Sequence, residues 1–149
     1  MGTRARIGIQ LPSGAIKSIY THWDGYPEHH AVILNKHYKS LKLARELIKL
    51  GDLSTMGETI GEQHGFEQHA PEGAPSWCTS YTRDRGETGC AAKRAPGLDS
   101  LVRQAWNCDA EFIYIFAHGD WVYMATPRSM PKPGDSRTWD SCSNVKEVA

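Results

Sequence analysis

Ala5, Ile7, Ile9 and Leu11 alternate with Arg6, Gly8 and Gln10, a period of two that predicts a strand with one buried face. Pro12-Ser13-Gly14 supplies turn chemistry, so Ala15 to His22 reads as the returning strand of a hairpin. On that strand Ile16, Ser18, Tyr20 and His22 share one face, while Lys17, Ile19 and Thr21 share the other. Gly25 and Pro27 end it. From Glu28 the apolar spacing turns helical, with Ala31, Leu34, Tyr38 and Leu41 at three- and four-residue intervals. Ser40 is placed to cap a second helix carrying Leu43, Ala44, Leu47, Ile48 and Leu50, and Gly51 stands where a helix-ending glycine belongs.

Residues 51–76 carry the weakest pattern. Gly51 to Ser54 reads as a turn, Thr55 to His64 as a stretch holding a short helical piece, and Gly65 to Ser76 as a polar exposed excursion. A loop of that length is usually functional or mobile. Trp77 to Thr82 regains strand character, with Trp77, Thr79 and Tyr81 on one face, and runs into the charge-dense loop Arg83-Asp84-Arg85-Gly86-Glu87. Leu98, Leu101, Val102, Ala105 and Trp106 follow the full amphipathic helix pattern. Phe112 to Phe116 is apolar on both faces, which predicts a central strand, and His118-Gly119-Asp120 turns it into a hairpin with Trp121 to Ala125. Beyond Thr126, Pro127, Pro131, Pro133 and Gly134 oppose regular structure. The expected organisation is a single α+β domain over residues 1–125. It holds an antiparallel sheet of about five strands, hairpins at both ends of the chain and helices packed on one face. A loosely held tail, 126–149, follows, which Trp139 can dock on the body.

Charge narrows the choice of partner. Lys+Arg and Asp+Glu each total 17, so the net charge is zero, which weighs against general duplex nucleic-acid binding. No apolar run reaches the ~18–20 residues that cross a bilayer, so no membrane span is expected. Cys78, Cys90, Cys108 and Cys142 show no C-x-x-C and are expected as free thiols. His29, His30, His37, His64 and His69 do not fall at chelating spacing, and neither a metal nor another cofactor is expected.

Two stretches can carry function. At the strand break, His22, Trp23, Asp24 and Tyr26 gather an imidazole, a carboxylate and two large rings. Asp24 can orient His22 as a general base, and the rings can wall a planar ligand or partner side chain. Equally, they can form a structural corner in which Asp24 caps the next helix and the rings plug the core edge. At the other strand exit stand Tyr81, Arg83, Asp84, Arg85 and Glu87. Two guanidiniums there can clamp phosphate or carboxylate oxygens, or the charges can pair with one another in solvent. No phosphate-binding glycine loop, dinucleotide fingerprint, nucleophile elbow or catalytic triad spacing is present.

The run Ser18-Ile19-Tyr20-Thr21-His22-Trp23-Asp24-Gly25-Tyr26-Pro27-Glu28 resembles a widespread, largely uncharacterised family of small tailed-bacteriophage and prophage proteins. The resemblance continues through Leu47 to Ser54 and through Tyr81 to Glu87, and departs at His29-His30, where a Gly-containing helix start is usual. It implies an accessory protein made in the cytoplasm of a bacterial host. The expectation is a non-enzymatic binder of a host protein or a nucleotide-like small molecule, such as a counter-defence inhibitor of an immune effector or its nucleotide signal. The alternative is a small hydrolase of a phosphate-containing substrate, with His22 as acid/base, Asp24 as its orienter and Arg83 as the clamp.

Overall fold

The computed structural model describes residues 2–130 and 139–146. The first half runs β1 (Ala5–Gln10), β2 (Ile16–Thr21), α1 (Pro27–His37), α2 (Leu41–Lys49), β3 (Leu53–Thr55) and β4 (Thr79–Ser80). The second runs α3 (Tyr81–Arg85), β5 (Lys93–Ala95), α4 (Leu98–Asn107), β6 (Phe112–Ala117), β7 (Asp120–Ala125) and β8 (Asp140–Ser141). The chain is α+β, and among the described residues one eight-stranded sheet takes the order β4-β3-β2-β1-β6-β7-β8, with β5 also pairing β2.

The sheet is mixed rather than antiparallel. Both expected hairpins form, β1 with β2 and β6 with β7, but β1 lies parallel to β6 and β2 parallel to β3. The strands beyond the expected five are short; β4 and β8 have two residues each, too few to show a period of two in the sequence.

Helices also cover both faces, not one. Alternate residues of β1 (Ala5, Ile7, Ile9) and β6 (Tyr114, Phe116) pack with Ala31 and Leu34 of α1 and Ala44, Leu47 and Ile48 of α2. Ile113 and Ile115, the intervening residues of β6, pack on the opposite side with Leu101, Val102 and Ala105 of α4. A strand that is apolar on both faces demands cover on both, and α4 supplies the second layer.

Other segments also differ from the sequence expectation. No helix forms over 55–64. Instead Thr59 and Trp77 make an isolated bridge that closes the excursion at its base. A Cβ at Gly57 would come within 2.4 Å of the Trp77 backbone carbonyl carbon and one at Gly61 within 2.3 Å of the Trp77 ring, so glycine is required at both crossings. The predicted strand 77–82 is only β4, and the chain then turns helical at Tyr81. Ser80 explains the switch. Its Oγ accepts the Arg83 N–H at 3.2 Å, while its own N–H donates to Asp84 Oδ2 at 2.7 Å, a reciprocal cap. Gly86, at φ 74°, ends the turn. Part of the predicted tail belongs to the body: β8 pairs with β7, Cys142 is buried in the first core, and Trp139 packs against the second. Pro131, Pro133 and Gly134 lie outside the described residues.

Interior side chains lock the strand break in place. The Tyr114 hydroxyl donates to the Gly25 carbonyl at 2.6 Å, and the Gly25 N–H donates to the Thr3 carbonyl at 2.8 Å. A Cβ at Gly25 would lie 2.7 Å from that carbonyl oxygen, so no other residue fits. Tyr114→Phe leaves the buried Gly25 carbonyl without its donor and is expected to lower unfolding free energy by about 1–3 kcal/mol. Urea unfolding with an unchanged m-value checks it.

Candidate functional site

The end of β2 and the start of α3 are neighbours in space because β3 lies between them. His22 and Trp23 donate their backbone N–H groups to the Leu53 and Ser54 carbonyls, and Tyr81 donates to the Asp52 carbonyl. Two inter-strand spacings, about 10 Å, therefore separate the backbones of the two stretches singled out in the sequence.

The first stretch is an exposed aromatic corner. Trp23 and Tyr26 are 43% and 39% exposed, which places them on the surface and not in the core edge. His22 stands edge-on to Trp23, with ring centroids 4.7 Å apart. Its Nδ1 shares a hydrogen bond of 2.6 Å with the Tyr20 hydroxyl, so Tyr20, two residues back on the same strand face, orients the imidazole. Asp24 does not take that part. Its backbone adopts φ 60°, the left-handed turn that reverses the chain into Gly25, and its side chain is exposed.

Behind the corner lies a buried relay that the sequence reading missed. Thr21 Oγ1 meets His30 Nε2 at 2.9 Å, and His30 Nδ1 meets His29 Nδ1 at 2.9 Å. Burial disfavours the charged form of His30, with the neighbouring His29 adding to the effect, and pushes its pKa down to about 3. Burial lowers His29 as well. The adjacent histidines gave no signal because helical spacing alone does not say that one of them points inward.

The second stretch divides. Arg83 turns in: Nε and Nη2 donate to the Asp84 carboxylate at 2.9 and 3.1 Å, Nη1 to the Ile60 carbonyl at 2.7 Å, and Nη2 to the Cys78 carbonyl at 2.9 Å. Asp84 has no exposed side-chain surface and also accepts the His64 backbone N–H at 3.0 Å. Burial by itself would raise the Asp84 carboxyl, but the Arg83 hydrogen bonds and the Ser80 and His64 amides outweigh it and hold the pKa below the usual range. Arg83 and Asp84 thus fasten the excursion to β4 with their own bonding groups. Arg85 and Glu87 remain at the surface, 3.3 Å apart. The Arg85 guanidinium lies 5.1 Å from the centre of the Phe66 ring, which in turn packs at 5.6 Å against Tyr81.

The excursion covers a cavity of about 430 Å³ that contains none of the nine residues singled out in the sequence. β3 contributes Ser54 and Thr55, β4 contributes Thr79, and the loop contributes Glu58, His64, Phe66 and Trp77 among others. The cavity's trace in the sequence was the length of the 51–76 excursion, which does not say that the loop folds over a cavity. Among the described residues no group of three metal-ligating side chains converges.

Two measurements follow. Arg83→Ala strands the Asp84 carboxylate in the interior and is expected to cost about 3 kcal/mol or more in urea unfolding. A role confined to ligand contact would leave stability near wild type. For His30, the unfolded chain takes up a proton near pH 6.5 that the folded chain refuses until about pH 3. Stability is therefore complete above 6.5 and falls as pH drops through that window, by up to about 1.4 kcal/mol per pH unit. Unfolding at pH 7 and pH 5 should show a larger loss for wild type than for His30→Gln. Comparison with protein-family models, with curated proteins and with solved structures found no match to this chain.

Proposed function

We propose that this chain is a non-enzymatic binding protein that engages a protein partner through the aromatic corner at His22, Trp23 and Tyr26. The observation that carries this reading is two large rings held at the surface by a backbone that has no freedom to withdraw them. Gly25 is pinned from below by Tyr114 and Thr3, so the backbone between the rings needs no ordering on association. Tryptophan and tyrosine at such positions are the residue types that dominate interface energies. No helix among the described residues is long and apolar enough to cross a membrane.

The phage-protein resemblance supports a host factor as the partner, encountered in the host cytoplasm, with inhibition of an immune effector as the working role. A host protein fits the corner better than a nucleotide signal does, because, of the two arginines expected to clamp phosphate, Arg83 has its guanidinium committed inside the fold and Arg85 is paired with Glu87. The hydrolase alternative asks Asp24 to orient His22 and Arg83 to clamp phosphate, and neither side chain is in that position.

The test is affinity capture from host lysate with wild type, Trp23→Ala and Trp106→Ala, the last altering another exposed ring, on α4. A host protein retained by wild type and Trp106→Ala but lost by Trp23→Ala supports the reading. Its affinity should drop roughly 30-fold, the ~2 kcal/mol of an interface hot spot. Equal capture by all three proteins, or none by wild type, overturns it.

A further inference from the structure

The geometry points to a second, independent site: the cavity beneath the 57–77 loop binds a nucleoside, a flat base carrying a hydroxylated sugar, and rejects the corresponding phosphate. Its volume of about 430 Å³ lies within the range of small-molecule sites. What its lining offers decides the class of ligand.

Phe66 and Trp77 both line the cavity, and an aromatic face is the usual stacking surface for a base. Their positions are fixed from outside the cavity. The Phe66 ring is held by Tyr81 and Arg85, and the Trp77 ring rests over Gly61 and against His64, with the two ring centroids 5.4 Å apart.

The charged groups of the lining that carry a fixed sign are carboxylates, Glu58 and Glu72. Glu58 is held with Oε2 3.1 Å from His37 Nε2, and its Oε1 accepts from the Ser76 N–H and hydroxyl. His64 Nδ1 lies 2.7 Å from the Glu62 carbonyl, which can only accept, so Nδ1 carries the proton. His64 Nε2 lies 3.1 Å from Thr79 Oγ1, so the ring and the hydroxyl are bonded to each other at the cavity wall. Glu72 adds a second carboxylate, and the lining includes no lysine or arginine. Hydroxyls of a sugar and amino or imino groups of a base are donors that match the carboxylates, and the Ser54, Thr55 and Ser76 hydroxyls and the Gln68 amide can meet the acceptors of the same ligand. A phosphate would meet two carboxylates and no lysine or arginine, an unfavourable exchange for its hydration.

The test is calorimetric titration of the full chain with the four common ribonucleosides, their 5′-monophosphates and free ribose. At least one ribonucleoside should bind with one site per chain, and its monophosphate and ribose at least tenfold more weakly. Phe66→Leu should weaken the nucleoside at least fivefold. Glu72→Lys, an exposed position, should narrow the gap between nucleoside and monophosphate by supplying the missing cation. Trp23→Ala, in the corner, should leave the titration unchanged, so the two sites fail or succeed separately. Absence of nucleoside binding, monophosphate or ribose binding as tight as the nucleoside, or wild-type affinity in both cavity variants overturns the proposal.

Discussion

The ion pair between Arg83 and Asp84 is the constraint on which the loop side of the molecule rests. One buried carboxylate gathers the amides of His64 and Ser80, and the guanidinium beside it reaches the carbonyls of Ile60 and Cys78. Chain segments twenty residues apart are thereby tied to one point. A loop with its own hydrogen-bonding groups satisfied in this way can enclose space without collapsing into it. Remove the pair and the cavity loses its wall, while β4 and α3 lose the cap that separates them.

The two halves of the candidate surface obey different physics. The corner at Trp23 and Tyr26 is open because the backbone beneath it is fixed: a left-handed Asp24, a glycine with no room for a Cβ, and a tyrosine hydroxyl on its carbonyl. The cavity keeps its shape because its loop is fixed, by the Trp77 ring over Gly61 and by Arg83 at its base. One feature is a projecting pair of rings, the other a recess. They are near neighbours through β3, whose Ser54 accepts the Trp23 amide and also lines the cavity.

Residue types that suggest catalysis are spent on structure here. His22 takes its orientation from Tyr20 and not from a carboxylate, His30 is buried and kept neutral, and Cys78 is buried with its thiol pushed up by desolvation. Tyr38 donates to the Gly57 carbonyl at 2.7 Å and stands 3.5 Å from that thiol. These groups make the interior polar at intervals while leaving each one paired, which specifies a single arrangement of the loop against α1.

Where a segment repeats a pattern over two turns or six alternations, the sequence determined it. Both hairpins, the paired helices capped at Ser40, the amphipathic α4 and the two-faced central strand all follow from local periodicity, since burial imposes that period on any chain. The exposed placement of the aromatic corner and the inward turn of Arg83 were both open in the sequence. Tertiary structure decided them, because whether a guanidinium finds a carboxylate and three carbonyls depends on loops brought together from residues 57–64 and 78–84. Strand direction was equally closed to sequence: β6 lies parallel to β1 only because α4 returns the chain across the opposite face of the sheet. Two-residue strands carry no period at all, so β4 and β8 exist only by virtue of the neighbours they pair with.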